Sequence, residues 1–595
     1  APAVILDWSV RYDDEDSRAT EYVRIKILRE DGRKYGDVEL LTIQSFYTVS
    51  GIKARTTRPD GTVTPFTGKV YDKIMYKKRF LKVATKNFTL PNVEPGAIIE
   101  YRYTTTWPRE QARPARWAVQ KEIPIRSARF WVRPARTLPS ICTTRGLPPS
   151  LTPKKVRDHY ELEIEKVEPF IEEPLAPPAD ELKPSLEYFY ADGQPDKYWA
   201  EVGEAWGKYI NQFIGNRSGI RKAAAEITAG ATTDDTKLRL LYERAQQVRN
   251  LTYEREKSEQ EEKREKLRDR NDIEDVLKLG YGSSNDITRL FVGLARAVGF
   301  DAWVAAVSAR DETLFTKDLP DASQIEYEIA VVKVGETERF YSPGVPYTSP
   351  GLVPWANTFV AVMHLKQGTK GTWGTVPETP YQSSVTTRTA ELELVDDVLK
   401  GKGSVTYRGQ DALSRRLDAH TEDEAANRKR FEDEIKTWFP DGSDVKLTSF
   451  GPLDKGGVPL VLEFEVTLAN LGAATGSRAI FPLSIFTTNA KSPFSAETRK
   501  YAIIYPYLHQ IEDRVTLRIP EGFAVESLPK GGTADNGVIS YQAKWAQKEG
   551  AVSLDRKLVV KRLAVGSADY SKMRGFYGLI GSADQESVVL KKGNS

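Results

Sequence analysis

The sequence predicts a multidomain α+β protein with β-rich ends and a helix-rich middle, on three observations. At 595 residues the chain is too long for one hydrophobic core, and its length suggests about three or four domains. Near both ends apolar residues alternate with polar ones at period two, the signature of half-buried strands. Between the ends they recur every three or four residues, the signature of helices with one buried face. The expected division is a β-sandwich over residues 1–185, an α+β core over 186–380 and a β-rich domain over 381–595.

In the first part, Tyr22-Val23-Arg24-Ile25-Lys26-Ile27-Leu28 alternates and runs into Asp31-Gly32. Arg58-Pro59-Asp60-Gly61-Thr62 and Glu94-Pro95-Gly96 are turn signals beside extended segments such as Ile98-Ile99-Glu100-Tyr101-Arg102-Tyr103. Short strands with regular turns suggest a sandwich. The Pro-rich stretch from Glu173-Pro174 to Pro177-Pro178 marks a semi-rigid boundary.

Helical spacing begins near Lys197. Trp199, Val202, Trp206, Tyr209 and Phe213 define one apolar face, and Leu238, Leu241, Tyr242, Ala245 and Val248 another. Tyr253 to Arg270 is almost continuously charged, with Glu259–Lys263 and Glu262–Lys266 at i,i+4, and reads as a solvated helix or mobile loop rather than a partner surface. From about residue 385 strands return, as in Ala390-Glu391-Leu392-Glu393-Leu394-Val395 and Leu460-Val461-Leu462-Glu463-Phe464-Glu465-Val466. One helix is expected between them, from His420 to Trp438. Val515 to Ile519 is a further strand, ended by Pro520-Glu521-Gly522.

Composition excludes several functions. With 40% hydrophobic and 28% charged residues the chain is that of an ordinary globular protein. The 86 basic and 83 acidic side chains leave a net charge of +3, without the basic field that nucleic-acid binding needs. The lone Cys142 rules out an internal disulfide, and scattered His159, His364, His420 and His509 lack metal-ligand spacing. No metal or cofactor is expected. The most apolar stretch, Ile287 to Val307, is interrupted by Arg289, Arg296 and Asp301, so no transmembrane segment is predicted. Residue 1 is Ala; a removed signal peptide is the favoured reading, although simple loss of Met or trimming gives the same observation.

The stretch that can carry chemistry is Gly280-Tyr281-Gly282-Ser283-Ser284-Asn285-Asp286-Ile287. A tight glycine turn opens into a strong helix, with Ile287, Leu290, Phe291, Leu294, Ala295 and Val298 on one face. Ser283 and Asp286 have capping-box spacing, which places Ser284 in the first helical turn, at the positive end of the dipole. A thiolate there is reactive near neutrality. A serine hydroxyl additionally needs a neighbouring general base.

This segment, continuing through Thr288-Arg289-Leu290-Phe291 to Gly299-Phe300, resembles the core helix of bacterial transglutaminase-like proteins, related to the papain-type core. The flanking turns (Arg58 to Thr62, Pro91 to Gly96) are similar to a domain of unknown function that precedes this core in cell-envelope proteins. Ile519 to Phe523 and Tyr570 to Arg574 are similar to its C-terminal β-domain. The resemblance implies that Ser284 stands at the position of the nucleophilic cysteine. The family histidine precedes an apolar strand, here Ile329 to Val332, so its position falls on Glu328 or Tyr327. The family aspartate follows in a turn, here Tyr341-Ser342-Pro343-Gly344, and falls on Ser342. A single Cys→Ser change would explain Ser284 but not the other two, and loss of a triad member costs on the order of 10⁴ in turnover. The expectation is therefore a pseudoenzyme in the periplasm or outside the cell, binding a peptide, glycan or partner protein in a degenerate cleft. Trp199, Tyr281, Asp286 and Tyr327 are its candidate contacts.

The alternatives are an acyltransferase or hydrolase that uses Ser284 with Glu328 or Tyr327 as an unconventional base, and a glycosidase-like acid pair among Glu326, Glu328 and Asp286. Most acids in so charged a chain are surface groups, which disfavours the pair. Cys142, with no histidine nearby, reads as a bystander thiol. Trp199 and Trp206 could line a groove, but helix-core packing is the simpler role.

Overall fold

The computed structural model describes every residue except 45, 79–80, 110–112, 137, 192, 256, 258, 396–397, 476 and 594–595, and also leaves aside the side chains of 44, 74–78, 81–82, 259, 262–263 and 473–475. At the N-terminal end the strands His159–Val167, Ile125–Arg133, Ala3–Asp13, Arg18–Ile27, Ile98–Thr106 and Thr48–Thr57 run side by side, with two short edge strands. Only Ala3–Asp13 and Ile125–Arg133 pair in parallel; the other neighbours are antiparallel. Alternation places Trp8, Val10, Ile25, Ile99, Phe130 and Val132 inside, with Trp8 edge-on to Phe130 at 5.1 Å. Two three-stranded sheets complete this β-rich region. One contains Ser185–Tyr190, which pairs with Ser140–Arg145 and carries the N-terminal architecture a few residues past position 185. Cys142 lies in that pair, packed on the core, and burial pushes its thiol up to about 12, so it is protonated and inert at neutral pH.

The middle region packs helices Pro195–Ile214, Ser218–Ile227, Asp234–Gln246, Ile273–Leu279 and Ser284–Ala297 against a five-stranded antiparallel sheet. Its order is Thr337–Tyr341, Tyr327–Val334, Asp301–Val307, Val360–His364, Thr372–Val376. Local chemistry sets the ends of the helices. Pro195 opens the first, Thr233 caps the third, and Asp272 caps the fourth by accepting from the Glu274 and Asp275 amides. Gly280, at φ 74°, stops the fourth in the left-handed conformation. The fifth is buried at every position from Asp286 to Ala295 and forms the centre of the region.

Two details of the helical face differ from expectation. Trp199 is 1% exposed, with its ring between Phe315 and Trp373 and its Nε1 donating to the Lys317 carbonyl, so it belongs to the core and is removed from the cleft candidates. Tyr209, expected on the same buried face, is 59% exposed, because Gly203, Gly207 and Ile210 carry the stripe instead.

At the C-terminal end Asp444–Gly451, Leu460–Leu468, Val398–Tyr407, Val385–Val395, His509–Arg518, Ala551–Val560 and Ile539–Lys548 form most of an eight-stranded sheet. The helix expected from His420 to Trp438 is present as Glu424–Lys436, and a further helix, Gln410–Ala419, precedes it. The break between them has a local cause: the Asp423 carboxylate accepts the Ala426 amide at 2.8 Å and starts the second helix afresh. Among the described residues, the charged segment after Tyr253 is helical over Glu259–Glu265. The side chains of Glu259, Glu262 and Lys263, on which both expected i,i+4 pairs rest, lie outside the described residues.

The Pro-rich connector is stapled rather than free. Glu173 accepts the amides of Lys500 and Tyr501 at 2.8 and 3.0 Å, and the Leu175 carbonyl accepts the Ile504 amide. An extended proline-rich strip cannot satisfy its own carbonyls, so it takes partners from the distant C-terminal region.

A buried charge network organises that region. Asp513, 2% exposed, takes both arms of Arg388 at 2.7 and 2.9 Å and one arm of Arg556 at 3.2 Å, while Arg556 also pairs with Asp584 on the Tyr570–Asp584 helix. Asp513→Ala would leave two buried guanidiniums short of a counter-ion. The expected cost is about 3–5 kcal/mol, read as a lower urea midpoint for the C-terminal unfolding transition. An unchanged midpoint would show that the network is not structural.

Candidate functional site

Ser284 is the first residue of the Ser284–Ala297 helix, and the capping box expected from the sequence is present. Ser283 Oγ accepts the Asp286 amide at 3.2 Å, and the Asp286 carboxylate accepts the Ser283 amide at 2.9 Å. The helix start therefore already holds an anion. Asp286 is also bound by Arg270 Nε at 3.0 Å, and Arg270 stacks over the Tyr281 ring at 5.6 Å. Tyr281 in turn fastens the chain at Arg268 through its hydroxyl, which accepts the Arg268 amide at 2.7 Å. These two candidate contacts, Tyr281 and Asp286, are brought together, but by bonds within the chain.

The amide of Ser284 has a partner as well. It donates to Thr252 Oγ1 at 3.0 Å. Thr252 immediately precedes the charged segment, whose Glu254 and Glu265 are both bound by Lys257 within it and by Arg249 just before it. The segment is thus anchored beside the helix start at both ends, by Thr252 on one side and by Arg268 and Arg270 on the other. Ser284 Oγ, by contrast, is buried with no hydrogen-bond partner among the described residues.

The turn after Thr337–Tyr341 abuts the same helix end. A side chain at Gly344 would fall 2.2 Å from the Ser284 carbonyl oxygen, so only glycine allows this approach. Ser342 is 2% exposed; its carbonyl accepts from Thr348 Oγ1 at 2.8 Å, and its own Oγ has no partner among the described residues. Asn250 Nδ2 donates to the Gly344 carbonyl at 2.7 Å and ties this turn to the start of the charged segment.

Sheet alternation separates Glu328 from Tyr327. Ala330 and Val332, in phase with Glu328, pack toward the helices, while Ile329 and Val331 pack on the far side of the sheet. Glu328 therefore faces the Ser284–Ala297 helix. There it is held by both arms of Arg289, with Nε to Oε2 at 2.9 Å and Nη2 to Oε1 shorter still. Arg289 is itself seated over the rings of Tyr209 at 5.2 Å and Phe213 at 5.3 Å. Burial raises the Glu328 carboxyl, with Arg289 opposing that shift and nearby Asp286 adding to it. Tyr327 points away, half exposed, and its hydroxyl donates to Glu312; burial and that carboxylate push it up to about 12. As a general base at neutral pH it would be protonated.

Arg289, Thr252 and Arg270 have no place in the residues singled out from the sequence. Arg289 was legible: a charge set among apolar residues in mid-helix demands a buried partner, and Glu328 is the charge at the mouth of a buried strand. The contacts of Thr252 and Arg270 depend on how a long irregular segment folds back, for which the sequence carries no periodic signal. His364, outside every expected role, is a core residue whose Nδ1 accepts from Trp303 Nε1 at 2.8 Å. No cluster of metal-ligating side chains occurs among the described residues.

Comparison with known proteins places these features in a family context. Residues 221–334 match the transglutaminase-like superfamily model, residues 13–171 match the domain of unknown function DUF3857, and residues 477–590 match the domain of unknown function DUF3858. No curated protein matches the chain. Among solved structures, a candidate protease from Parabacteroides distasonis aligns over 99% of both chains with a TM-score of 0.59 at 13% identity, a likeness of fold. Helix, sheet and flanking regions agree in order with these matches: this chain carries a transglutaminase-like core between a DUF3857 domain and a DUF3858 domain.

Proposed function

We propose that the core is non-catalytic, and that the chain is a binding or scaffold protein of the cell envelope, periplasmic or secreted, holding a peptide, glycan or partner protein. The observation that carries this reading is that Ser284 Oγ has no hydrogen-bond partner among the described residues. A serine becomes a nucleophile only when a base takes its proton, and the carboxylate that faces its helix, Glu328, spends both oxygens on Arg289. Acyl transfer also needs donors free to hold an oxyanion, and the Ser284 amide is already bound by Thr252. In place of the expected sulfur, imidazole and carboxylate, the three positions hold a serine, a structural ion-pair partner and a second serine. The envelope location rests on the kinship of the flanking domains. No helix among the described residues is long and apolar enough to cross a membrane.

Two measurements test the reading. A fluorophosphonate probe is expected to leave Ser284 unlabelled in the purified chain, and peptide substrates are expected to remain intact. Labelling that disappears in Ser284→Ala would instead establish a working serine nucleophile.

The second concerns Glu328. Glu328→Ala strands a buried guanidinium and is expected to destabilise the core by about 3–5 kcal/mol, whereas the double change Arg289→Met with Glu328→Leu should return to within about 1 kcal/mol of the parent. Equal stability of Glu328→Ala and parent in urea unfolding would mean that the carboxylate is not committed to Arg289.

A further inference from the structure

A cavity of about 790 Å³ opens where the connector, the core and the C-terminal region meet. Its wall includes neither Ser284, Glu328 nor Ser342. Four features mark it as built for a ligand. The wall is largely apolar, with Leu175, Pro177, Trp355 and Phe359 among its residues. Phe359 is 52% exposed and sits at φ 57°, and Leu175 is also at φ 57°. Bulky side chains seldom occupy that left-handed backbone, and when held there they cluster at ligand sites. Ser308, 1% exposed, contributes to the wall a buried Oγ with no hydrogen-bond partner among the described residues. Such a hydroxyl is costly to leave unsatisfied, and an incoming donor or acceptor would satisfy it.

The charge of the site is one-sided. Glu172, Asp311 and Glu312 line it and are exposed, and none forms an ion pair among the described residues. The one guanidinium in the wall, Arg310, is spent on the protein. It donates to the carbonyls of Trp355, Thr358, Tyr505 and Pro506 and stacks on Trp355 at 4.9 Å. Burial pulls it down to about 10, still a cation at neutral pH, but its donors point into the wall. Glu312 accepts the Tyr327 hydroxyl, but among the described residues no ion pair neutralises Glu172, Asp311 or Glu312, so the rim offers carboxylates without a salt-bridged counter-ion above an apolar floor. Just beyond it, Glu326 is raised by burial and by Asp321 and Glu312, a further sign of an uncompensated negative field.

We propose that this junction cavity binds a peptide segment that carries an apolar or aromatic side chain beside lysine or arginine. The ring of Phe359 and the Leu175 and Trp355 surfaces receive the apolar side chain. Asp311, Glu312 and Glu172 receive the cation, and Ser308 Oγ meets a backbone or side-chain polar group. The occupant bridges the connector, the core and the C-terminal region, so its binding reports on the relation of all three. This rests on the binding role proposed above, but not on the loss of catalysis.

The test uses the full chain and a short fluorescein-labelled peptide alternating lysine and phenylalanine, with fluorescence anisotropy as readout at low ionic strength. The double change Asp311→Asn with Glu312→Gln should weaken binding about tenfold, and added salt should weaken the parent in the same direction. Phe359→Gly, which suits the positive φ and removes the ring, should also weaken binding about tenfold while leaving the melting temperature unchanged or raised. Ser284→Ala should bind as the parent does. Four outcomes overturn the proposal: no binding by the parent, equal binding of a peptide with glutamate in place of lysine, indifference to both junction variants, or loss confined to Ser284→Ala. Fluorophosphonate labelling of Ser284 alongside unchanged junction binding would overturn only the non-catalytic reading.

Discussion

The pairing of Arg289 with Glu328 is the constraint on which the middle of the molecule depends. The Ser284–Ala297 helix is buried along nearly its whole length, and Arg289 is a charge in the middle of that burial. Taking a guanidinium out of water costs several kcal/mol unless a carboxylate meets it with matched geometry. Glu328 does so with two parallel bonds, and the Tyr209 and Phe213 rings cover the remaining face of the cation. The pair fixes the sheet against the helix at one register. It also uses up the carboxylate that faces the helix from the strand where a base would stand. Structure and chemistry compete here for one side chain, and in this chain structure has it.

Much of the architecture was legible because it is written in periodicity. Alternation in Ile98 to Tyr103 and Leu460 to Val466 is a direct record of one buried sheet face. The capping box at Ser283 and Asp286 was readable because it is local, spanning a single helical turn. What escaped is non-local. Tyr209 has helix-face spacing, yet sits outside because three neighbouring positions carry the stripe, and its ring serves Arg289 instead. The connector looked like a linker by composition, since nothing in prolines and glutamates announces that residues some three hundred positions later will bond to them.

At the candidate site the sequence named Ser284, Glu328 and Ser342, and the fold brings Gly344, two residues after Ser342, against the Ser284 carbonyl and turns Glu328 toward the same helix. It could not say what else fills the space. The Ser284 amide, the Asp286 carboxylate and the Tyr281 hydroxyl are each engaged by the segment between residues 249 and 270. That segment carries its own ion pairs, so its placement beside the helix start does not draw on an external partner. Ser284 Oγ and Ser342 Oγ are buried without partners among the described residues, but the amide and carboxylate beside them are engaged, and a ligand bonding to those groups would first have to displace an existing hydrogen bond.

The junction cavity differs from the helix start in its apolar wall and its carboxylates, and the contrast bears on where recognition resides in the chain. There, among the described residues, a hydroxyl has no partner, two apolar residues stand in unfavourable backbone and carboxylates gather without ion-paired cations. Each is destabilising in the empty molecule, by about 1–3 kcal/mol for a strained residue or an orphaned buried hydroxyl. A fold gains nothing from such features by itself. They persist where neighbouring structure over-determines them, and here that structure is the Arg310 guanidinium bonded across to Tyr505 and Pro506, together with the connector bonded to Ile504. Rigid support around unsatisfied groups is what pre-organises a binding site, since the ordering cost is met in folding rather than on contact with the ligand. Binding is thereby favoured at the meeting of the three regions rather than over the helix start.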